Sequence, residues 1–189
     1  MKNKELLVSS NPKSAFSESI KTIRTNLQFL LVGADSKVIL LTSPEPGDGK
    51  SFVSANLAIA FTQENKRVLL FKVENDKSKG YSNLILSSKD DNTIMSFIVK
   101  TGIKNLDLLP SGAYPPNPSE LLSSSNNREL ISKLRNMYDI IILDCAPVLG
   151  LNDTLVMTKL SDVNAVVVTN KKTKLEDLDQ VNKNFNRVN

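Results

Sequence analysis

Leu40-Leu41-Thr42-Ser43-Pro44-Glu45-Pro46-Gly47-Asp48-Gly49-Lys50-Ser51 joins an apolar, strand-like run (38–41) to a helix-like run (52–61). A strand, a tight glycine loop, Gly-Lys-Ser and a helix form the arrangement that wraps backbone N–H groups around nucleotide phosphates. In that reading Pro46, Gly47, Asp48, Gly49, Lys50, Ser51 and Phe52 hold the phosphates. Lys50 reaches the β- and γ-phosphates, and the Ser51 hydroxyl ligates Mg2+. The position usually held by the loop's first glycine is Pro44. A plain turn ahead of an amphipathic helix is the competing reading, and the intact Gly-x-Gly-Lys-Ser core in its strand–helix setting outweighs it. The stretch implies a nucleoside triphosphate ligand.

Further apolar, β-rich runs recur at 68–73, 106–109, 140–143 and 165–168, with helical spacing at 129–137 and 154–160 between them. Near-continuous apolar strands alternating with amphipathic helices predict an α/β fold, a doubly wound, mainly parallel sheet with helices on both faces. Ligands of such sheets bind at the carboxyl ends of the strands, where the loop from Ser43 lies. Ahead of the first strand, 14–31 reads as a helix with Ile20, Ile23, Leu27 and Leu30 or Leu31 as its apolar positions. The proline- and serine-rich stretch 110–126 is the main interruption, and a last helix carries Leu178, Val181 and Phe185. We expect one domain over 1–189, with an N-terminal helical segment (1–35) and a nucleotide-binding core (36–189). A fold of this kind is expected to add another strand after residue 189.

Composition narrows the function classes. The chain of 189 residues is long enough for a substantial core. A net charge of +4 argues only weakly for acidic partners, and 5% aromatics with no Trp leave little material for base stacking, which disfavours nucleic acid. No stretch is apolar for long enough to span a bilayer, and the start shows no signal-like core, so the expected location is cytoplasmic. One cysteine excludes an internal disulfide.

Tyr138-Asp139-Ile140-Ile141-Ile142-Leu143-Asp144-Cys145-Ala146-Pro147 is an apolar strand ending in an acid, the Walker B pattern whose carboxylate helps hold Mg2+. A lone acid at a strand end is more often a cap or turn residue, but a phosphate loop in the same sheet favours a metal role for Asp144. Asp153 reads either as a sensor on the γ-phosphate side or as the cap of the helix starting at Thr154. Cys145 reads as a small buried residue, since the chain has no histidine to activate it. The Lys171-Lys172-Thr173-Lys174 cluster reads as a solvated helix entrance, or as a contact to nucleotide or an acidic partner.

These pieces, taken with two further segments, resemble the bacterial tyrosine kinase (BY-kinase) family of capsule and exopolysaccharide synthesis, from about residue 14 to about residue 178. Glu18-Ser-Ile-Lys21-Thr-Ile-Arg24 is similar to the family's N-terminal Glu-x-x-Arg-x-x-Arg segment, and Leu109-Pro-Ser-Gly112 with Pro116-Asn117-Pro118-Ser119-Glu120-Leu121-Leu122 is similar to another signature. The resemblance implies a P-loop NTPase-like fold, ATP and Mg2+ as ligands, and transfer of phosphate to protein tyrosine. It further implies a homo-oligomer joined through Glu18, Lys21 and Arg24, and a membrane-anchored activator that recruits the chain to the inner face of the membrane. Spaced three apart, Glu18, Lys21 and Arg24 share a helix face, free to pair with a neighbour or simply to be solvated. Lys21 stands where the family has arginine and cannot make a bidentate carboxylate pair.

Two departures bear on activity. The family's Walker A′ motif, an Asp-x-Asp at the end of the second strand, aligns with Lys72 and Glu74, and the basic residue that follows it aligns with Asp76. Two unit charges about 4 Å apart interact by roughly 4 kcal/mol at an effective dielectric of about 20, so a lysine aimed into the site weakens Mg2+ or base function. Glu74 is then the candidate for the missing acid beside Lys50 and Asp144. Alternatively Lys72 pairs with Asp144 or a phosphate, or faces away. The chain also lacks a tyrosine-rich tail: Tyr81 and Tyr114 lie in loops as weak phosphosites, and Tyr138 reads as structural. Three functions stay open: a protein-tyrosine kinase, a nucleotide-binding regulator without transfer, and a partition- or division-type ATPase switch. The third usually carries a second lysine where this loop has Glu45.

Overall fold

The computed structural model describes residues 6–33, 37–72, 79–149 and 152–187. Its elements run α1 (Leu7–Ser10), α2 (Ala15–Leu30), β1 (Lys37–Thr42), α3 (Lys50–Thr62), β2 (Val68–Lys72), α4 (Tyr81–Ile85) and α5 (Asp91–Phe97). They continue as β3 (Val99–Lys100), β4 (Leu106–Leu109), α6 (Pro118–Ser123), α7 (Ser125–Met137), β5 (Ile140–Asp144), α8 (Asn152–Thr158), β6 (Val163–Val166) and α9 (Leu175–Asn186). The sheet has the order β3-β4-β2-β5-β1-β6, parallel throughout except for the short edge strand β3. This is the doubly wound, P-loop NTPase-like sheet expected from the alternating pattern.

Because successive strand residues point to opposite faces, the central strands are apolar on both sides. One face carries Val38, Leu40, Leu69, Phe71, Ile141 and Leu143, covered by residues of α4 to α8. The other carries Ile39, Leu41, Val68, Leu70, Ile140 and Ile142, covered by α3 with α1 and α2 outside it. α3 is therefore buried on nearly all sides, from Ser54 to Phe61, and small residues (Ala55, Ala58, Ala60) let its neighbours approach. A helix wedged between sheet and helices is a rigid mount for the loop that precedes it.

Several boundaries differ from the sequence expectation. The last strand is Val163–Val166, because its pairing runs from Ile39 to Thr42 on β1. α7 starts at Ser125, capped by the Ser124 hydroxyl accepting from the Asn127 amide. α8 starts at Asn152 and ends at Thr158. On α2, Ile20, Leu27 and Leu31 are buried, whereas Ile23 and Leu30 face solvent. The expected boundary at 35/36 and the end of the run 68–73 lie outside the described residues.

Candidate functional site

The loop between β1 and α3 owes its shape to its glycines. Gly47 (φ 81°) and Gly49 (φ 83°) both occupy the left-handed region that a side chain disfavours. Gly49 is the N-cap of α3, and the first helical hydrogen bond runs from the Val53 amide to its carbonyl (3.0 Å). The amides of Lys50, Ser51 and Phe52 thus belong to the helix start, where N–H groups have no intrahelical acceptor and the helix dipole is positive. Such an end suits a polyphosphate anion. Within the loop, Ser43 Oγ donates to the Glu45 carbonyl (2.7 Å), and the Glu45 amide donates to Asp48 Oδ2 (3.2 Å).

Three of the expected residues meet at this helix end. Lys50 is buried (6% exposed), as is Asp144 at the end of β5 (3%). Ser54 Oγ lies 3.3 Å from Asp144 Oδ1, which ties the strand-end acid to α3. Ser51 lies three residues before Ser54 on α3, near the helix face that meets Asp144. Pro46, Gly47, Asp48 and Gly49 line the arch ahead of them. The Phe52 ring is turned away from this end, packing on Phe16 of α2 with centroids 5.0 Å apart. Among the described residues no three acidic, cysteine or histidine side chains cluster to hold a metal alone. A hard cation here, held by Ser51 and Asp144, would complete its oxygen ligands from phosphate and water.

Lys72 stands in register with Asp144 on the adjacent parallel strand. Register partners project to the same face of a sheet, and for this pair it is the α3 face, where Ile142 and Leu70 also point. The Lys72 side chain therefore leaves the sheet on the same face as Asp144, and it is exposed. Glu74 and Asp76 lie outside the described residues.

The strand-end acid has a buried neighbour. Burial, and then the Asp144 charge, push the Cys145 thiol well above its ordinary range, with Lys50 opposing. The residue is a neutral filler, as its surroundings predicted. Asp153 is not the cap of its helix, because α8 starts at Asn152 and holds it in the first turn; its carboxylate accepts from Ser119 Oγ (2.5 Å) and faces the Tyr114 hydroxyl (3.4 Å), tying α8 to the proline-rich stretch. Tyr81 is not in a loop but buried at the start of α4, its phenol bonded to Asn127. Tyr138 is structural, donating to Asp107 Oδ2 (2.9 Å). Tyr114 is 60% exposed. The Leu109–Gly112 signature also has a packing reason. A Cβ on Gly80 would sit 2.3 Å from the Pro110 carbonyl oxygen, so only glycine lets α4 start against the β4 exit.

On α2 the three charged residues are engaged within the chain. Lys21 Nζ pairs with Glu18 (2.8 Å) and donates to the Pro12 carbonyl (2.9 Å). Arg24 folds onto α3, pairing with Glu64 (2.7 Å) and donating to the Ala60 carbonyl (2.9 Å). The residue that sequence reasoning missed is Lys172, read there first as solvated. Its ammonium donates to the Pro46 carbonyl (2.8 Å) and Asp48 Oδ1 (2.9 Å), inside the phosphate loop. Among the described residues no helix is long and apolar enough to cross a membrane.

Known proteins resemble this chain in sequence and fold. A family model described as an AAA domain matches residues 36–189. The tyrosine-protein kinase YwqD of Bacillus subtilis is 34% identical over 181 residues, 92% of this chain and 76% of that protein. The tyrosine-protein kinase wzc of Salmonella typhimurium is 36% identical over 176 residues, 88% of this chain but only 24% of its own length. This chain thus spans about a quarter of the Salmonella relative. The crystal structure of the chimerical protein CapA2B2 superposes with a TM-score of 0.88 at 30% identity, covering 100% of this chain and 86% of that one.

Proposed function

The chain belongs to the bacterial tyrosine kinase family, and from that premise we propose that it binds Mg-ATP at the β1–α3 loop and transfers the γ-phosphoryl group to protein tyrosine. The observation that carries this reading is the meeting of buried Lys50, the α3 amino terminus and buried Asp144 at one helix end. In the proposal the amides of residues 47–52 and Lys50 bind the phosphates, and Ser51 and Asp144 hold Mg2+. The metal, when bound, neutralises charge developing on the phosphoryl oxygens. The protein's own part is positioning and preorganised positive charge. Glu74 is the proposed acid of the third motif, and Lys72, beside Asp144, sets how fast transfer runs.

The biological setting proposed is control of capsule or exopolysaccharide assembly, in the cytoplasm at the inner membrane face. A membrane-anchored activator and self-association through Glu18, Lys21 and Arg24 belong to that proposal. Because Arg24 is already paired with Glu64, association through it needs a shared or exchanged carboxylate.

The test is transfer of labelled γ-phosphate from Mg-ATP to a tyrosine-containing copolymer, with Lys50→Ala and Lys72→Asp beside the parent. The Lys50→Ala rate is expected to fall on the order of 100-fold, and Lys72→Asp is expected to raise the parent rate at least roughly tenfold by removing a cation beside the metal acid. A parent that binds ATP but transfers only after Lys72→Asp is a nucleotide-binding regulator. Silence of both, with ATP bound, rules out the kinase reading.

A further inference from the structure

Lys172 reaches the phosphate loop from the far side of the chain. It sits in a tight turn after β6, where the Lys172 and Thr173 amides both donate to the Thr169 carbonyl (3.1 and 3.0 Å) and Thr173 Oγ1 accepts from the Thr169 amide (3.0 Å). Lys171 takes φ 64°, a left-handed conformation that is uphill for any residue with a Cβ. That turn aims the Lys172 side chain at the arch. A Cβ on Gly47 would lie 3.4 Å from the Lys172 ammonium, so the lysine lies directly over the glycine that bends the loop.

The partner is as informative as the lysine. The Asp48 side chain is almost wholly buried (1% exposed), whereas that of Lys172 is 46% exposed. One Asp48 oxygen accepts from Lys172 and the other from the Glu45 amide. A buried carboxylate two residues before Lys50 is a hazard in a site for polyphosphate, because it repels the ligand in proportion to ligand charge. Burial raises the Asp48 pKa, yet the bonds from Lys172 and the Glu45 amide outweigh it and hold the carboxyl below its ordinary value. The acid is therefore ionised at neutral pH and is compensated by a lysine 124 positions away.

We propose that Lys172 is a positioning residue of the phosphate loop: through Asp48 and the Pro46 carbonyl it holds residues 45–48 in cradle shape and cancels the Asp48 charge, so that the site favours ATP over ADP. The proposal rests on the nucleotide reading above and adds to it a determinant of phosphate number. Loss of the ammonium leaves a buried anion facing the ligand, and the more highly charged nucleotide suffers more. Replacing Asp48 as well removes that anion and restores the balance.

The experiment measures ATP and ADP affinity by calorimetry with Mg2+ for the parent, Lys172→Met, Lys172→Arg, Asp48→Asn and the Lys172→Met/Asp48→Asn pair. Amide hydrogen exchange at residues 45–49 is followed in the same proteins without added nucleotide. Lys172→Met is expected to weaken ATP roughly tenfold and ADP only about threefold, the loss of one charge-assisted hydrogen bond plus charge-dependent repulsion. Lys172→Arg should keep most of the ATP preference, the double variant should regain it, and exchange at 45–49 should quicken in Lys172→Met. Equal loss for both nucleotides, no recovery in the double variant, or unchanged exchange overturns the proposal. A parent that binds neither nucleotide instead overturns the site reading and the ATP preference with it, while the exchange arm still tests the clamp.

Discussion

Gly49 and Cys145 show how much of the site one side chain controls. At Gly49 a Cβ would meet no atom within 4 Å, so the difficulty of Gly49→Ala lies in the φ of 83° alone. The substitution is expected to lower unfolding free energy by about 1–2 kcal/mol in urea titration, the strain of one left-handed residue. A loss well above that would mean the loop reshapes around the methyl. Cys145 leads to a kinetic expectation: its thiol is fully buried and held protonated, so a maleimide should label it only after denaturation. Rapid labelling of the folded protein would contradict the burial of the strand-end acid's neighbour. At this scale the glycines, Lys50, Ser51 and Asp144 were legible because their chemistry is local, a φ sign or a strand terminus. Lys172 was not, since a charge beside other charges in sequence looks solvated until the fold brings Asp48 to it.

At the scale of elements, α2 tests what fastens the outer helical layer to α3. Ser14 caps it, accepting from the Ser17 amide (3.1 Å), and Ser17 Oγ in turn donates to the Asn11 carbonyl (2.6 Å). Ser14→Ala is expected to cost about 1 kcal/mol, as for other N-cap losses, read as a shift of the urea midpoint with unchanged slope. A fall in slope would instead mean that α2 detaches before the rest. The long periodic elements were legible for the reason that their burial is one-sided or total. α4 was not: it spans only 5 residues, and its last turn is closed by Lys89 donating to the Leu84 and Ile85 carbonyls (3.0 and 2.8 Å). A helix that short has no period to detect, and the lysine that closes it lies outside its span. The misplacement of Ile23 has a similar origin, because α2 meets α3 along a narrow stripe rather than a broad face.

For the whole molecule, the two-sided core makes alkaline stability a collective property. Burial raises the pKa of Tyr81 on the α4 face, and burial followed by the Asp107 bond raises that of Tyr138. Cys145 is shifted the same way. In each case the folded chain keeps a proton that the unfolded chain gives up from its ordinary value, 10.0 for the phenols and 9.0 for the thiol. Stability is thus unaffected by these groups at neutral pH and falls as pH climbs past those values, because the unfolded state is then the one that ionises. Each group adds a slope of about 1.4 kcal/mol per pH unit until its folded value is reached. Tyr138→Phe isolates one of the three. At neutral pH it should be less stable by about 1 kcal/mol, the net value of the lost bond to Asp107. Above pH 10 the gap should close by about 1.4 kcal/mol per unit, so the curves of unfolding free energy against pH converge and cross. Urea titrations at stepped pH measure both arms, and parallel curves would show that the Tyr138 phenol ionises as easily in the fold as out of it. Because Tyr138 lies just ahead of β5 and Asp144 ends it, the same measurement asks whether the strand that carries Asp144 is anchored at its far end.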